Sequence, residues 1–397
     1  MIFEVDPNHN YNLDGLKTHV CMYPYMQFQV YSDFDVEVCC RSWMKNKVIG
    51  NLATQTAEEI INSPVLKDII EDMEAGNWSY CTDVCPLAVR FLKSRPENGG
   101  NGDLKFTVIT PKERTDSVVD NSLRERLRYK DYVIFFNHDQ SCNLQCPSCR
   151  NEFIHISSKK NPEKYNTLYK VQKEIERMIE LLMLREDAST VCANITGSGD
   201  PFASELYWNY LLELNEKVLL PEYSKLRVKL QTNGVLMTPE RMDKIKNLWP
   251  RINWISISID AATQETYSIV RKRGNLEAVQ KNVKWLNEKV EAREIGEPES
   301  TDLCPWCVNF IVQTDNYKEM AEFTKLYTSY NSIHNVWLNP IDDWGHLDMA
   351  EAGLFNRKAV WRKEHPEYNN FIEILKDPIF NHPKANIGSL ATFRSKS

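Results

Sequence analysis

The sequence predicts an α/β fold in which a partial (β/α)6 TIM-like barrel follows a small cysteine-rich module. Two observations lead to this prediction. From about residue 130 onward, short apolar runs alternate with helical segments, and six such units fall short of the eight in a closed barrel. The chain also has 11 cysteines, and several of them crowd into its first 85 residues. These cysteines gather in groups that a barrel alone does not require.

Composition narrows the range of functions. The 397 residues include 48 Lys plus Arg and 55 Asp plus Glu, so the formal net charge is −7, whereas nucleic-acid and membrane-surface binders are more often basic. No run of 18 apolar residues predicts a membrane span, and the acidic amino terminus does not resemble a signal peptide. We therefore expect a cytoplasmic protein that binds neither nucleic acid nor membrane. In a reducing compartment, clustered cysteines indicate metal binding or catalysis.

The chain divides into four predicted segments. Residues 1–95 form the cysteine-rich module, in which 28–38 alternates as two strands around a turn and 54–73 is helical with a break at Pro64. Residues 96–129 form a linker, because the stretch at 94–104 is rich in Pro, Gly and Asn. Residues 130–345 form the barrel, and residues 346–397 form a carboxyl-terminal extension.

Strands and helices alternate within the predicted barrel, which implies a parallel sheet with right-handed crossovers. The six strands are placed at 132–137, 191–196, 226–231, 254–259, 308–312 and 336–338. The helices between and after them are placed at 165–184, 206–218, 239–248, 276–290 and 317–330.

The loop after the first barrel strand carries three cysteines. Cys142, Cys146 and Cys149 form a C-x3-C-x2-C pattern within HDQSCNLQCPSCR. Three thiolates in one loop can hold three irons of a [4Fe–4S] cluster and leave the fourth iron open to another ligand. The alternative is a zinc site, which commonly needs four ligands arranged as two pairs.

This cysteine loop resembles that of the radical S-adenosylmethionine (SAM) enzymes, and the resemblance extends over most of residues 130 to 345. It implies a partial barrel in which SAM binds the open iron and is cleaved reductively to a 5′-deoxyadenosyl radical. That radical removes a hydrogen atom from the substrate, so the cofactors supply the difficult chemistry. It also implies an external reductant such as flavodoxin or ferredoxin.

Further motifs match the family in order along the chain. The SGDP segment resembles the family's GGEP segment, which binds the SAM amino group, but has Ser for the first Gly and Asp for Glu. A glycine in this segment lets the backbone approach the ligand closely. Either Arg271 or Arg273 could pair with the SAM carboxylate, or both could belong to a solvated charge run, RKR. The residues expected to bind SAM are Ser198, Gly199, Asp200, Thr232, Asn233, Ser258, Asp260, Arg271 and Gln313.

The amino-terminal cysteines resemble the auxiliary-cluster module called SPASM, or its shorter relative called twitch. That resemblance implies a second, auxiliary iron–sulfur cluster, with a structural zinc as the alternative. Five cysteines suffice for one [4Fe–4S] cluster, with either Cys39 or Cys40 as the fourth ligand. The candidate metal ligands of this module are Cys21, Cys39, Cys40, Cys81 and Cys85.

A second C-x2-C pair, formed by Cys304 and Cys307, lies at the start of the fifth barrel strand. Counting by two from Gln313 places Ile311, Asn309 and Cys307 on one strand face, which is expected to face the barrel interior. An interior thiol can return a hydrogen atom to the opposite side of a substrate radical, and Cys304 could restore that thiol through a disulfide. The pair could instead be packed in the barrel or ligate an auxiliary cluster.

The cluster loop, in the form CNLxCPSC, and the closing segment HPEYNNFIEILKDPIF resemble those of the radical SAM peptide epimerases of proteusin biosynthesis. This resemblance implies an isomerase that installs D-amino acids in a ribosomally made (RiPP) precursor peptide. Two alternatives stay open. One is another radical SAM reaction, such as peptide crosslinking or the dehydrogenation of a sugar or alcohol. The other is a non-enzymatic iron–sulfur or zinc binding protein.

Overall fold

The computed structural model describes residues 16, 19–41, 43–45, 48–82, 85, 88, 106–108, 130–298, 300–342, 351 and 353–394. Most of the stretch predicted as a linker lies outside these residues. Among the described residues, no helix is both long and apolar enough to cross a membrane.

The strands follow the chain in this order: β1 His19–Cys21, β2 Gln27–Val30, β3 Asp35–Glu37, β4 Gly50–Asn51, β5 Phe106–Val108, β6 Lys130–Phe136, β7 Ala188–Ile195, β8 Leu226–Thr232, β9 Ile252–Ser258, β10 Trp306–Val312, β11 Asn335–Pro340 and β12 Ala385–Asn386. The α-helices are α1 Tyr23–Met26, α2 Ala57–Ile61, α3 Pro64–Glu74, α4 Pro162–Met183, α5 Glu205–Lys217, α6 Pro239–Asp243, α7 Gln264–Val270, α8 Leu276–Glu291, α9 Met320–Thr328, α10 Leu354–Lys358, α11 Tyr368–Leu375 and α12 Ala391–Arg394.

A parallel sheet runs through β6, β7, β8, β9, β10 and β11 in chain order. Each of these six strands overlaps one that the sequence predicts, and helices connect them, so the prediction of a partial (β/α)6 barrel is confirmed. Within the described residues the sheet ends in short strands on both sides and does not close on itself. The carboxyl ends of the parallel strands therefore share one edge, where α/β proteins bind their ligands.

Along each strand, apolar side chains that face the helices alternate with polar side chains that face the barrel interior. In β8, Val228 and Leu230 are buried in the main core, whereas Lys229 and Gln231 point to the other face. In β9, Ile255 and Ile257 belong to the same core. The polar residues between these apolar ones line the interior side of the open barrel.

The amino-terminal module continues the sheet of the barrel. Strand β2 pairs in parallel with β6, and β3 and β4 follow as antiparallel neighbours. Phe28 and Val30 are buried in the main core together with residues of the barrel. The turn between β2 and β3 lies where the sequence predicts it, and Pro64 begins α3 rather than interrupting a longer helix. The module and the barrel thus share one sheet and one core.

Two pairings connect segments that the sequence analysis separates. Within the predicted linker, Phe106–Val108 forms β5 and pairs antiparallel with β1 of the module. Within the predicted carboxyl-terminal extension, β12 pairs in parallel with β11. Both pairings join residues far apart in sequence, and the alternation within one segment carries no signal for them.

Candidate active site

A cavity opens at the carboxyl edge of the parallel strands. Its walls come from the loop after β6, the loop after β7 and the ends of β8 and β9. The lining residues are Cys142, Leu144, Cys146, Cys149, Arg150, Thr196, Gly197, Ser198, Gly199, Gln231, Thr232, Asn233, Ser258 and Arg271. The structure therefore brings the three cysteines of the first group together with six of the residues expected to bind SAM. Asp200, Asp260 and Gln313 lie outside this lining.

Each thiol of the first group accepts a hydrogen bond from a different side chain. Arg150 Nη2 lies 3.5 Å from Cys149 Sγ, and Arg271 Nη1 lies 3.6 Å from Cys146 Sγ. Asn233 donates through Nδ2 to Cys142 Sγ at 3.5 Å. Hydrogen bonds and positive charge at sulfur are the means by which a protein stabilises a thiolate-bound cluster.

Burial favours the protonated form of these thiols before any metal binds. It raises the pKa of Cys142 to about 12, and the nearby carboxylate of Asp200 acts in the same direction. Burial also raises the pKa of Cys146, although the Arg271 guanidinium opposes this shift. Three thiols that face one cavity, each with an N–H donor, fit the ligand set of a [4Fe–4S] cluster with an open iron. Binding of the metal must therefore displace protons.

Gly199 is needed because the cluster loop passes directly over it. A Cβ at this position would lie 2.6 Å from the carbonyl oxygen of Asp139 and 2.7 Å from that of Ser141. The sequence predicts that a ligand approaches this glycine closely, whereas the structure places the backbone of the cluster loop in that space. Gly199 therefore fixes the distance between two walls of the cavity.

The Asp200 carboxylate is buried, and both of its oxygens accept internal hydrogen bonds. Its Oδ2 accepts from the Thr232 hydroxyl at 2.8 Å and from the Asn233 amide at 2.9 Å, while Oδ1 accepts from the Phe202 amide at 3.0 Å. Its carboxylate thus positions the end of β8, which faces the cavity. Ser198 lines the cavity, and its hydroxyl donates to the carbonyl of Asn137 at 2.9 Å.

Asp260 and Arg271 form a buried ion pair beside the cluster loop. Arg271 Nη2 lies 2.7 Å from Asp260 Oδ2, and the two side chains are 12% and 1% exposed. The solvated charge run considered for Arg271 does not agree with this burial. Its Nε has no hydrogen-bond partner among the described residues and remains available to a ligand in the cavity. The buried Nε2 of Gln313 also lacks a partner in the described part of the chain.

The amino-terminal cysteines form a second group. Burial raises the pKa of Cys39, and the charges of Cys21, Cys85, Cys81 and Cys40 act in the same direction. Cys39 therefore lies near all four other thiols of the group. In the described residues no three His, Cys, Asp or Glu side chains lie close enough to hold a single metal ion.

The two cysteines of the C-x2-C pair lie in different surroundings. Cys307 is 2% exposed and donates to the hydroxyl of Ser256 at 3.6 Å, which places it on the interior face of the barrel. Cys304 packs in the main core and donates to the carbonyl of Ile252 at 3.4 Å. None of the eleven cysteines, all of which are described, is disulfide-bonded.

Arg150 is the main site residue that the sequence analysis misses. It directly follows the last cysteine of the cluster loop, and an arginine next to a cysteine ligand is the signal that could have identified it. Thr196 and Gln231 also line the cavity without having been predicted. Gln231 directly precedes Thr232, and Thr196 lies two residues before Ser198, so their position at a strand end is the available signal.

Two family models match the chain. Residues 136–296 match the radical SAM superfamily, and residues 21–86 match an iron–sulfur cluster-binding domain, SPASM. No curated protein matches the sequence.

Solved structures are similar over part of the chain. AnSMEcpe with bound AdoMet and Cp18Cys peptide has 14% identity and a TM-score of 0.37, with 53% of this chain and 51% of that chain covered. Streptococcus suis SuiB bound to its precursor peptide SuiA has 12% identity and a TM-score of 0.39, with 82% and 62% covered. The methyltransferase TsrM from Kitasatospora setae has 13% identity and a TM-score of 0.37, with 55% and 37% covered. The chain thus spans between about one third and three fifths of the length of these proteins.

The sequence motifs, the cavity and the family models agree. The cofactors are a [4Fe–4S] cluster, SAM and an auxiliary iron–sulfur centre. The chain therefore carries a radical SAM domain preceded by a SPASM iron–sulfur cluster-binding domain.

Proposed function

We propose that this protein is a peptide epimerase of the radical SAM type. It removes Hα from residues of a ribosomally made precursor peptide, and Cys307 returns a hydrogen to the opposite face. The observation that carries the proposal is the position of Cys307 on the interior strand face, beside Ser256 and therefore two residues below Ser258 of the cavity lining. The SPASM match and the form of the cluster loop support a peptide substrate.

Strand register gives the depth of Cys307. Ser258 lines the cavity, and Ser256 lies two residues earlier on the same face of β9, about 7 Å deeper at the usual rise per residue. Cys307 pairs with Ser256 in the adjacent strand and contacts its hydroxyl. A substrate held between these layers would meet the cofactors on one side and the thiol on the other.

The interior face suits a peptide and keeps the thiol protonated. Asn309 donates to Ser256 at 2.6 Å, and Gln231 lines the cavity above, so amides and hydroxyls surround the substrate space. Burial raises the pKa of Cys307 to about 11. At neutral pH the side chain is therefore an S–H group, the form from which a hydrogen atom can be transferred.

The proposed step balances in atoms and electrons. When bound, the cluster and SAM supply a radical that takes the hydrogen atom of one Cα–H bond. The S–H bond of Cys307 then breaks as a new C–H bond forms on the opposite face, so the substrate is neither oxidised nor reduced. One electron and one proton restore the thiol. Because Cys304 packs in the core, we assign that electron to an external reductant of the flavodoxin or ferredoxin class.

Isotope labelling tests the proposal. Reconstituted protein is incubated anaerobically with dithionite, SAM and small peptides encoded beside its gene, and 5′-deoxyadenosine is measured by chromatography. In D2O, epimerisation raises the peptide mass by one unit per modified residue. Cys307→Ala should keep SAM cleavage but lose deuterated D-product, whereas Cys304→Ala should retain it. Retention of deuterated D-product in Cys307→Ala would exclude that thiol as the donor.

An oxidative reaction is the second candidate. It is favoured by the amino-terminal cysteine group, because a second cluster can accept the electron that an oxidised substrate releases. Crosslinking or dehydrogenation would lower the product mass by two units, which the same experiment separates from epimerisation. If the reconstituted protein neither shows [4Fe–4S] absorbance nor cleaves SAM, both candidates fail.

A further inference from the structure

We infer that Arg150 is a positioning residue that supplies the uncompensated positive charge at the SAM-binding cluster and thereby raises its reduction potential. Asp260 has the opposite influence, because it neutralises the second arginine, Arg271. This inference rests on the proposed radical SAM function and deepens it. It concerns two side chains of the loops around the cysteines and makes no use of the substrate.

Arg150 joins three parts of the site through one guanidinium. Nη1 donates to the carbonyl of Gln140 at 2.6 Å, and Nη2 donates to the carbonyl of Ser198 at 2.6 Å. Nη2 also lies 3.5 Å from Cys149 Sγ. The planar, multiply donating guanidinium is suited to such a fork, which an ammonium cannot reproduce. Arg150 thus connects the cluster loop to the loop after β7.

The charge of Arg150 is not cancelled locally. Among the described residues it forms no ion pair with a carboxylate, and its oxygen partners are neutral carbonyls. The guanidinium of arginine stays protonated in proteins, so Arg150 remains a cation. A full positive charge therefore lies 3.5 Å from Cys149 Sγ in a partly buried cavity that all three cysteines line, where Coulomb energies exceed those in water.

Arg271 acts differently because Asp260 accompanies it. The Asp260 carboxylate lies 2.7 Å from the guanidinium, and its other oxygen accepts from the Ile311 amide at 2.8 Å. The pair is close to neutral when seen from the cluster. Arg271 therefore contributes a fixed N–H donor to Cys146 and little net charge.

The sign of each effect follows from electrostatics. Reduction adds one electron to the cluster from dithionite, and no bond or proton at these residues needs to change. A positive charge stabilises the reduced, more negative state, so removing it makes the potential more negative. Removing the Asp260 charge leaves Arg271 uncompensated and makes the potential less negative.

Potentiometry monitored by electron paramagnetic resonance tests this inference. Full-length reconstituted protein is titrated with dithionite, with and without SAM, and only the signal that SAM perturbs is assigned to the cluster with the open iron. The variants are Arg150→Gln, Arg150→Lys and Asp260→Asn. Arg227→Gln is the matched control, because Arg227 is another poorly exposed arginine but pairs with Glu297 and does not line the cavity.

We expect Arg150→Gln to shift the midpoint to a more negative potential and Asp260→Asn to shift it to a less negative one. Arg150→Lys should stay closer to wild type in potential, but show a smaller SAM-perturbed fraction because the fork to the loop after β7 is lost. The control should match wild type. If Arg150→Gln does not assemble a cluster, the sign of the shift in Asp260→Asn still decides.

Two results would overturn the inference. One is an unchanged or less negative midpoint in Arg150→Gln, while wild type holds a SAM-perturbed cluster and cleaves SAM. The other is an unchanged or more negative midpoint in Asp260→Asn. Absence of any SAM-perturbed cluster in wild type is a different failure, since it overturns the proposed function together with this inference.

Discussion

Replacing Gly199 with Ala should destabilise the cavity wall, whereas the same replacement at Gly197 should be mild. The added Cβ at position 199 would meet two backbone carbonyl oxygens, of Asp139 and Ser141, at 2.6 and 2.7 Å. At position 197 its nearest contact is the side-chain oxygen of Asn137 at 2.9 Å. The two glycines lie in one loop, but only Gly199 has backbone neighbours, which cannot rotate away as the Asn137 side chain can.

The magnitude follows from these contacts. Because the two carbonyls must retreat, overpacking should cost about 1–3 kcal/mol. The retreat also weakens the hydrogen bond from the Asp200 amide to the Ser141 carbonyl, 2.9 Å long, whose net worth is about 1 kcal/mol. Replacing glycine with alanine also lowers the conformational entropy of the unfolded chain, which stabilises the folded state by roughly 0.4–1 kcal/mol. We therefore expect a net loss of about 1–3 kcal/mol for Gly199→Ala and less than about 1 kcal/mol for Gly197→Ala.

Denaturant unfolding of the metal-free protein measures this difference directly. The iron content after reconstitution measures its consequence, because the displaced carbonyls belong to the loop that carries the cysteines. Gly199→Ala should unfold at a lower denaturant concentration than Gly197→Ala and bind less iron. Equal midpoints and equal iron contents for the two variants would refute the assignment of Gly199 as the contact between the walls.

Three further predictions each concern a single residue. Cys39→Ser should lower the iron content of reconstituted protein in which the first cysteine group is intact, whereas Cys40→Ser should not; elemental analysis against a protein assay decides between them. Asp200→Asn replaces one accepting oxygen by an NH2 group, so either the Phe202 or the Asn233 backbone amide loses its acceptor, and the free energy of unfolding should fall by about 1–3 kcal/mol in a denaturant titration. Because the pKa of Cys307 is raised to about 11, the thiol stays protonated below that value, and deuterium incorporation per SAM cleaved should stay constant from pH 7 to 9. A decline in that ratio centred near pH 8.5 would mean that an ordinary exposed thiol is the donor.

The parallel barrel could be predicted because each of its strands is recognisable from a short stretch of sequence. Each strand combines short length with an apolar face, as in β8, where Val228 and Leu230 alternate with Lys229 and Gln231. The cysteine loop was predictable for the same reason, since three ligands within eight residues need no distant partner. Chain order then sets the sheet order, because each crossover delivers the next strand beside the previous one.

The features that the sequence does not predict depend on contacts between residues far apart in the chain. The pairing of β2 with β6 joins residues about one hundred positions apart, and alternation shows which face of β2 is apolar without showing its neighbour. The burial of the three cations at 271–273 also depends on distant contacts. Arg271 turns inward to Asp260 and Cys146, while the guanidinium of Arg273 lies 3.8 Å above the ring of Phe153. The sequence of three consecutive cations does not indicate which of them is buried.

The direction of β2 determines where the two cysteine groups lie along the sheet. Because β2 runs parallel to β6, its carboxyl end lies at the cavity edge, with the Asn137 amide donating to the Val30 carbonyl at 2.9 Å. Cys21 precedes β2, and Cys39 follows the antiparallel strand β3, so the second cysteine group lies toward the opposite edge of the sheet. The interior face with Cys307 runs between the two edges. Because the two cysteine groups lie toward opposite ends of β2, a cluster held by the second group would share no cysteine ligand with one held by the first.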